Sequence, residues 1–407
     1  MGSRTIESSL LEFCILNLEF RRPLGLYVHI PFCSAICNYC NFNRGLFDAA
    51  LKERYVAALL QEIRGYGEGA PDLRLRSGQA DTIFFGGGTP SLLEPSEIAS
   101  IVAACRESFD LAADAEITLE ANPETVTAQR LDGFRAAGVN RLSYGVQSFR
   151  DEELLRLSRL HSASRAAEAF TLARRAGFDN ISLDLMMWLP QQSTADWLES
   201  VDALIALGPD HASMYMLEIY PNAPLRDAMA RGQWSVAPDD DVAEMYMAAL
   251  ARTDAAGYSQ YEISNVAVPG RQSRHNLKYW VDGEWLGFGC GAHSTRDSVR
   301  WKNQSSTEAY ISAVRNGGQL SVEERRLTPA EQVEEALFTG LRLTAGLDVD
   351  WVKTRYGVDV QATYGQELAP FAEAGLLRYD GARLRLTRAG MLLAHEVMAV
   401  FINANVR

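Results

Sequence analysis

From residue 24 onward the chain alternates short, continuous apolar runs with longer stretches in which apolar residues recur every three or four positions. The short runs are 24–30, 82–85, 116–121, 141–146, 181–187 and 211–217. They predict strands buried on both faces. The longer stretches, 51–63, 95–108, 127–137, 151–176 and 194–207, predict amphipathic helices, with Gly138, Gly177 and Gly208 at three of their exits. Such alternation predicts right-handed βαβ crossovers and a parallel sheet. Six units make an α/β fold of the partial (β/α)6 barrel kind. In barrels the reactive residues gather at the C-terminal ends of strands. Cys33, the 86–90 segment, 120–123, Gln147 and Asp184 all fall there.

A helical stretch over 240–256 leads into a segment, 258–293, rich in aromatics and glycine. Further helices are expected over 329–344, 349–356 and 368–374. Two strands, 376–379 and 383–386, then flank Asp380-Gly381, a strong hairpin signal. A last helix is expected over 389–401. Helices closed by a hairpin predict a smaller α+β, winged-helix-like domain. The expected division is an extension (1–22), the barrel (23–257), a connecting region (258–328) and the C-terminal domain (329–407).

The bulk numbers narrow the field. Hydrophobic residues at 47% and charged residues at 22% of 407 are ordinary globular values. A net charge of −13 argues against a binder of nucleic-acid backbone, and the winged-helix-like segment is not basic either. No stretch approaches the ~20 apolar residues of a membrane span. Glu12 and Glu19 interrupt the apolar start, no basic region precedes it and no small-residue cleavage site follows. A cytoplasmic protein is expected. Of six cysteines, Cys33, Cys37 and Cys40 are clustered, while Cys14, Cys105 and Cys290 are scattered, unlike a secreted disulfide framework. Cys14 and Cys105 are read as ordinary residues.

The clustered cysteines carry the chemistry. C-x3-C-x2-C after an apolar run supplies three thiolates on one loop and no fourth ligand. A structural zinc site wants four closed ligands, so it would need completion from elsewhere. Three thiolates suit an iron–sulfur cubane with one iron left open to a small molecule. Gly86-Gly87-Gly88-Thr89 follows a strand directly, but it is neither a Walker A loop nor a dinucleotide fingerprint. A triple glycine alone means only a tight turn; beside an open iron, bare backbone could approach a ligand. Glu120, Gln147, Arg159 and Asp184 each have an ordinary reading as salt-bridging residues, yet together on one rim they make a polar site.

The segments 27–42, 86–90, 120–123 and 145–149, with Asp184 and 189–191, resemble the radical S-adenosylmethionine (SAM) superfamily. More narrowly, they resemble its branch containing oxygen-independent coproporphyrinogen III oxidase. The resemblance runs from about residue 24 to the C-terminus. It implies that Cys33, Cys37 and Cys40 hold a [4Fe–4S] cluster whose open iron is chelated by SAM. An electron from the cluster then cleaves SAM to methionine and a 5′-deoxyadenosyl radical. It further implies that Tyr27, Tyr39, Gly87, Gly88 and Thr89 line the SAM site, with Glu120, Gln147, Arg159 and Asp184 on its polar groups.

Within the branch, two features separate oxidases from relatives. The oxidases carry a further cysteine two residues after the third, where this chain has Phe42, and a longer N-terminal arm. Both departures put decarboxylation in doubt. His275-Asn276-Leu277-Lys278-Tyr279-Trp280 resembles instead the H-N-x-x-Y-W motif of the haem chaperones of the HemW type, as do 261–265 and 287–293. That resemblance implies haem as ligand, with His275, Asn276, Tyr279 and Trp280 as binding candidates and Cys290 and His293 behind them. It implies haem-dependent respiratory proteins as recipients, an electron donor if SAM is cleaved, and a monomer or dimer. Taken without the family, a histidine beside Tyr and Trp is more often a packed core residue. The alternative function is a radical SAM enzyme acting on a tetrapyrrole, by decarboxylation or ring opening.

Overall fold

The computed structural model describes residues 23–68, 79–221 and 223–402. The expected extension over 1–22, with Cys14, lies outside them. The strands are β1 (Leu24–Ile30), β2 (Phe32–Cys33), β3 (Gly45–Leu46), β4 (Ala80–Gly87), β5 (Leu111–Ala121), β6 (Arg141–Gln147), β7 (Ile181–Met187), β8 (His211–Met216), β9 (Ser259–Glu262), β10 (Asn265–Ala267), β11 (Trp285–Phe288), β12 (His293–Arg296), β13 (Val299–Asn303), β14 (Ser321–Arg326), β15 (Leu347–Asp348), β16 (Leu377–Tyr379) and β17 (Arg383–Leu386).

The six expected strands form one sheet in sequence order, β1-β4-β5-β6-β7-β8, all neighbours parallel. Their outward positions are apolar and pack beneath the crossover helices: Leu26, Val28, Ile83, Phe85, Leu119, Leu142, Leu183 and Ala212 all belong to one core cluster. Their inward positions are polar or small except for Phe84 on β4: Gly25, Tyr27 and His29 on β1, Glu116, Thr118 and Glu120 on β5, Arg141 and Ser143 on β6, Ser182 and Asp184 on β7. The period of two thus separates an apolar shell from a polar lumen.

Two expectations are refined. The connecting region, 258–328, is itself built into the sheet: it supplies strands to both of its edges. β11 runs parallel beside β1 and carries β12, β13 and β14, while β10 and β9 extend the sheet beyond β8, completing twelve strands. The reason is the open edge of β1, whose unpaired backbone groups take a partner. The second concerns the helix expected over 151–176, which breaks into Asp151–Arg156 and Ala163–Arg175. Ser158 adopts a left-handed φ of 56°, and the Ser162 side chain accepts from the amide of Arg165 to start the second helix. The helical apolar pattern is thus interrupted by a turn, 157–162, that carries Arg159.

The chain ends in the helices Pro329–Gly340, Val349–Tyr356 and Val360–Glu373 and a three-stranded sheet, β15-β17-β16. Gly381, at φ 95°, turns the hairpin between β16 and β17. The single terminal helix expected there is two, Arg388–Leu392 and Ala394–Ile402.

Candidate functional site

The cysteine loop leaves β1 through Pro31. It is tied down at both ends by backbone: β2 pairs with β3, and the amides of Gly88 and Thr89 donate to the carbonyls of Ile30 and Phe32 at 2.8 and 2.7 Å. Gly86, Gly87 and Gly88 are needed for that approach. A Cβ on Gly88 would lie 2.7 Å from the Phe32 carbonyl oxygen, and one on Gly87, at φ 114°, would lie 2.5 Å from the His29 ring. Cys33 is buried, Cys37 and Cys40 are half-buried, and all three are free thiols. Among the described residues no three or more His, Cys, Asp or Glu side chains converge on one metal-ion position. Three thiolates on one loop suit a cubane, in which each takes its own iron.

The electrostatics fit the same group. Burial pushes the Cys33 and Cys40 thiols up, while a hydrogen bond from Thr89 acts against this at Cys33, and Arg44 acts against it at Cys40. The Arg159 guanidinium stands 3.5 Å from the Cys37 sulfur. It also donates to Asn122 Oδ1 at 2.7 Å and the Gly145 carbonyl at 2.6 Å, and it is hydrogen-bonded to Tyr39. The turn in the broken helix therefore delivers Arg159 to the cysteines.

Below the loop lies a carboxylate pair. Glu120 accepts from the Gly87 amide at 3.2 Å, and burial together with the negative charge of Asp184 pushes it up to about 8. Asp184 is held by the hydroxyls of Ser143 and Ser182 at 3.3 and 3.4 Å and by Ser213; burial raises it too. Gln147 sits at the end of β6 with a φ of 72° and accepts from Tyr215 at 2.7 Å. His29 Nε2 faces the Asn43 carbonyl at 2.7 Å, so it carries the proton, and Tyr27 Oη donates to Nδ1 at 3.1 Å. Two desolvated carboxylates, an arginine and polar backbone at one barrel mouth can hold a cation bearing an amino-acid tail and a diol.

The structure thus brings together every residue expected at the cluster and SAM positions: Cys33, Cys37, Cys40, Tyr27, Tyr39, Gly87, Gly88, Thr89, Glu120, Gln147, Arg159 and Asp184. The haem candidates lie deeper in the lumen, where two of them adjoin this set: the His275 ring is 6.5 Å from that of Tyr27, and Tyr279 is within electrostatic reach of Glu120. The helix Arg274–Trp280 closes the opposite, N-terminal end of the barrel. The amides of Arg274 and His275 donate to Glu116 at 3.1 Å, and Lys278 pairs with Asp81 at 2.5 Å. His275 is 1% exposed, stacked on Phe84, with Thr82 Oγ1 2.8 Å from Nδ1 and Tyr279 Oη 3.0 Å from Nε2. Burial holds it neutral, down to about 3. Both ring nitrogens are already bonded, the arrangement of a packed core histidine. Trp280 lies under Arg342, and the cleft beside Tyr279, about 70 Å³, is far below ligand-pocket size. Cys290 is buried, bonded to Asn43 and Thr307; His293 is exposed.

Sequence reasoning missed Asn122, Tyr215, Arg44 and Arg141. Asn122 stood inside the 120–123 segment, but nothing local distinguishes Arg141 from any strand-initial arginine. Phe42 is 65% exposed on the cysteine loop, beside exposed Ile36, Leu46 and Phe47. Leu155, Leu160 and Met216 are exposed on neighbouring loops and helix ends of the same face.

A partial α/β barrel with three cysteines after its first strand defines a radical SAM protein, and comparisons agree. The radical SAM superfamily model matches residues 27–204, and that of the HemN C-terminal domain matches 327–393. The chain is 36% identical over 379 residues to "Heme chaperone HemW" of Bacillus subtilis (92% of this chain, 98% of that one). It is 38% identical over 387 residues to the protein of the same name in Mycobacterium tuberculosis (94% and 95%). The crystal structure of coproporphyrinogen III oxidase (HemN) from Escherichia coli superposes with a TM-score of 0.82 at 25% identity, covering 98% of this chain and 93% of that one. The chain belongs to the HemW family of radical SAM proteins, a family whose cofactors are a [4Fe–4S] cluster and SAM. No helix among the described residues is long and apolar enough to cross a membrane.

Proposed function

We propose that this protein is a haem chaperone: it carries a [4Fe–4S] cluster and SAM at the C-terminal mouth of the barrel, binds haem, and delivers it to haem-dependent respiratory proteins in the cytoplasm. The observation that carries it is the similarity, over more than nine-tenths of the chain, to proteins named haem chaperones. Phe42 supports it, standing where the oxidases carry a further cysteine. Cys33, Cys37 and Cys40 hold the cluster. Tyr27, Tyr39, Gly87, Gly88 and Thr89 line the SAM site, and Glu120, Gln147, Arg159 and Asp184 bind its polar groups. When bound, the cluster and SAM supply one-electron chemistry; the chain's part is to chelate, orient and neutralise.

Because His275 is buried with both ring nitrogens bonded, the proposed haem contact is put elsewhere. The exposed apolar side chains Ile36, Phe42, Leu46 and Phe47 offer a flat, oily surface of the kind that marks a binding site, with Arg44 beside it for a carboxylate. The second reading, an enzyme acting on a tetrapyrrole, draws on the superposition with the oxidase. One experiment separates them: reduced, reconstituted protein is incubated with SAM and either coproporphyrinogen III or haem plus an apo-recipient. Transfer of haem without decarboxylation is expected; stoichiometric decarboxylation would overturn the chaperone.

A further inference from the structure

Arg141 opens β6 and faces the lumen. It is 1% exposed, yet its side chain makes no hydrogen bond or ion pair among the described residues, and its Nε is orphaned. Its register partner on β5, Thr118, is fully buried with an orphaned hydroxyl as well. A buried guanidinium without a partner is strongly destabilising unless nearby charge compensates it. The register supplies that charge. Thr118 pairs with Arg141, so Glu120 and Glu116, two residues to either side of Thr118, are both diagonal neighbours of Arg141 within reach of a long side chain. Glu116 is already engaged by the amides of Arg274 and His275, and Glu120 is the one at the SAM site. Asp184 is bonded to Ser143, one inward position above Arg141.

We propose that Arg141 is a positioning residue for the SAM site: its charge, set one layer below Glu120 and Asp184, favours the ionised form of that buried pair and so readies it for a cationic cofactor. This rests on assigning Glu120 and Asp184 to SAM. The groups facing Glu120 are Tyr27 from β1, the Gly87 amide from β4, Asp184 from β7 and Tyr279 from the helix Arg274–Trp280. Of these and Arg141, only Arg141 is cationic. On its other sides the arginine faces His211, Tyr261 and His275, two neutral imidazoles and a phenol that do not compete for its charge. Asp184 feels the same positive charge. Without such a counter-charge, a like-charged carboxylate pair in one lumen would hold its proton to still higher pH.

The test measures SAM affinity of the anaerobically reconstituted protein from pH 6 to 9. Wild type is expected to bind more tightly as pH rises through the Glu120 titration. In Arg141→Met the midpoint rises by about one pH unit, roughly a tenfold loss at pH 7, while Arg141→Lys keeps the wild-type profile. An unchanged midpoint in folded Arg141→Met would overturn the proposal. If that variant is unstable, Arg141→Gln replaces it, and identical profiles for Arg141→Gln and Arg141→Lys overturn it equally. Cluster-free protein gives a readout without SAM: melting of Arg141→Met, Glu120→Gln and the double variant. A double variant losing less than the sum supports the charge pairing; strict additivity refutes it. Glu120→Gln with undiminished SAM affinity at every pH instead removes the assignment of Glu120 to SAM.

Discussion

Cys37 and His275 show how a single side chain acquires a role. Cys37 is half-buried, unpaired by any disulfide and 3.5 Å from a guanidinium, so it is available to iron. Cys37→Ala should lose most of its reconstituted iron and its broad cluster absorbance, checked by iron analysis against wild type; unchanged iron content would sink the cluster assignment. His275 is the opposite case. Its ring fills a slot between Thr82, Phe84 and Tyr279, and Gly25 leaves room for it: a Cβ there would sit 3.1 Å from the imidazole. His275→Ala should cost about 2–4 kcal/mol, from the cavity and two stranded hydroxyls. The haemin Soret titration of the folded variant should match wild type, and a weakened titration would restore the histidine as a ligand.

At the scale of elements, the site exists because two segments cross. The triple-glycine end of β4 must lie flat against Ile30 and Phe32 for the cysteine loop to be held. Gly88→Ala should therefore lower thermal stability and cluster retention together, since its Cβ meets backbone rather than a movable side chain. A variant that keeps the cluster with wild-type melting would show that the loop is held by something else. The break at 157–162 was not legible beforehand, because the apolar periodicity of 151–176 continues on both sides of it. What ends the first helix is the left-handed Ser158 and the capping Ser162, features of backbone geometry that composition does not announce. The glycines were legible as a turn; that their missing side chains are required by the chain's own packing was not.

Across the whole molecule, buried titratable groups set the pH response of the cluster-free protein. Glu62, bonded to Tyr310, Asn303 and the Gly289 amide, is pushed by burial up to about 7, and Glu120 to about 8, both from 4.5. The folded state holds protons there that the unfolded chain has lost, so these groups reduce stability as pH rises from about 4.5 to 8. His29 and His275, held neutral at about 4 and 3 by burial, act oppositely, and their contribution is complete near the usual histidine value of 6.5. Above 6.5, then, the carboxylates dominate among these groups. Urea midpoints should fall between pH 6.5 and 8.5, and the fall should shrink in Glu62→Gln, Glu120→Gln; a flat response would contradict the burial of either acid.

By itself the sequence determined the six parallel strands, the hairpin at Asp380-Gly381, the cysteine spacing and the family, because each is written in local periodicity or in residues a few positions apart. The rim of Glu120, Gln147 and Asp184 followed from placing motifs at strand ends, and Tyr27 from the family resemblance. Only the tertiary structure decided that 258–328 completes both edges of the sheet, that the His275 helix closes the N-terminal end of the lumen, and that Arg141 lies unpaired beside two carboxylates. Those facts depend on which edge a strand pairs with and which lumen a polar side chain enters. Partners more than a hundred residues apart settle that through burial and hydrogen-bond satisfaction, and no short window of sequence contains them.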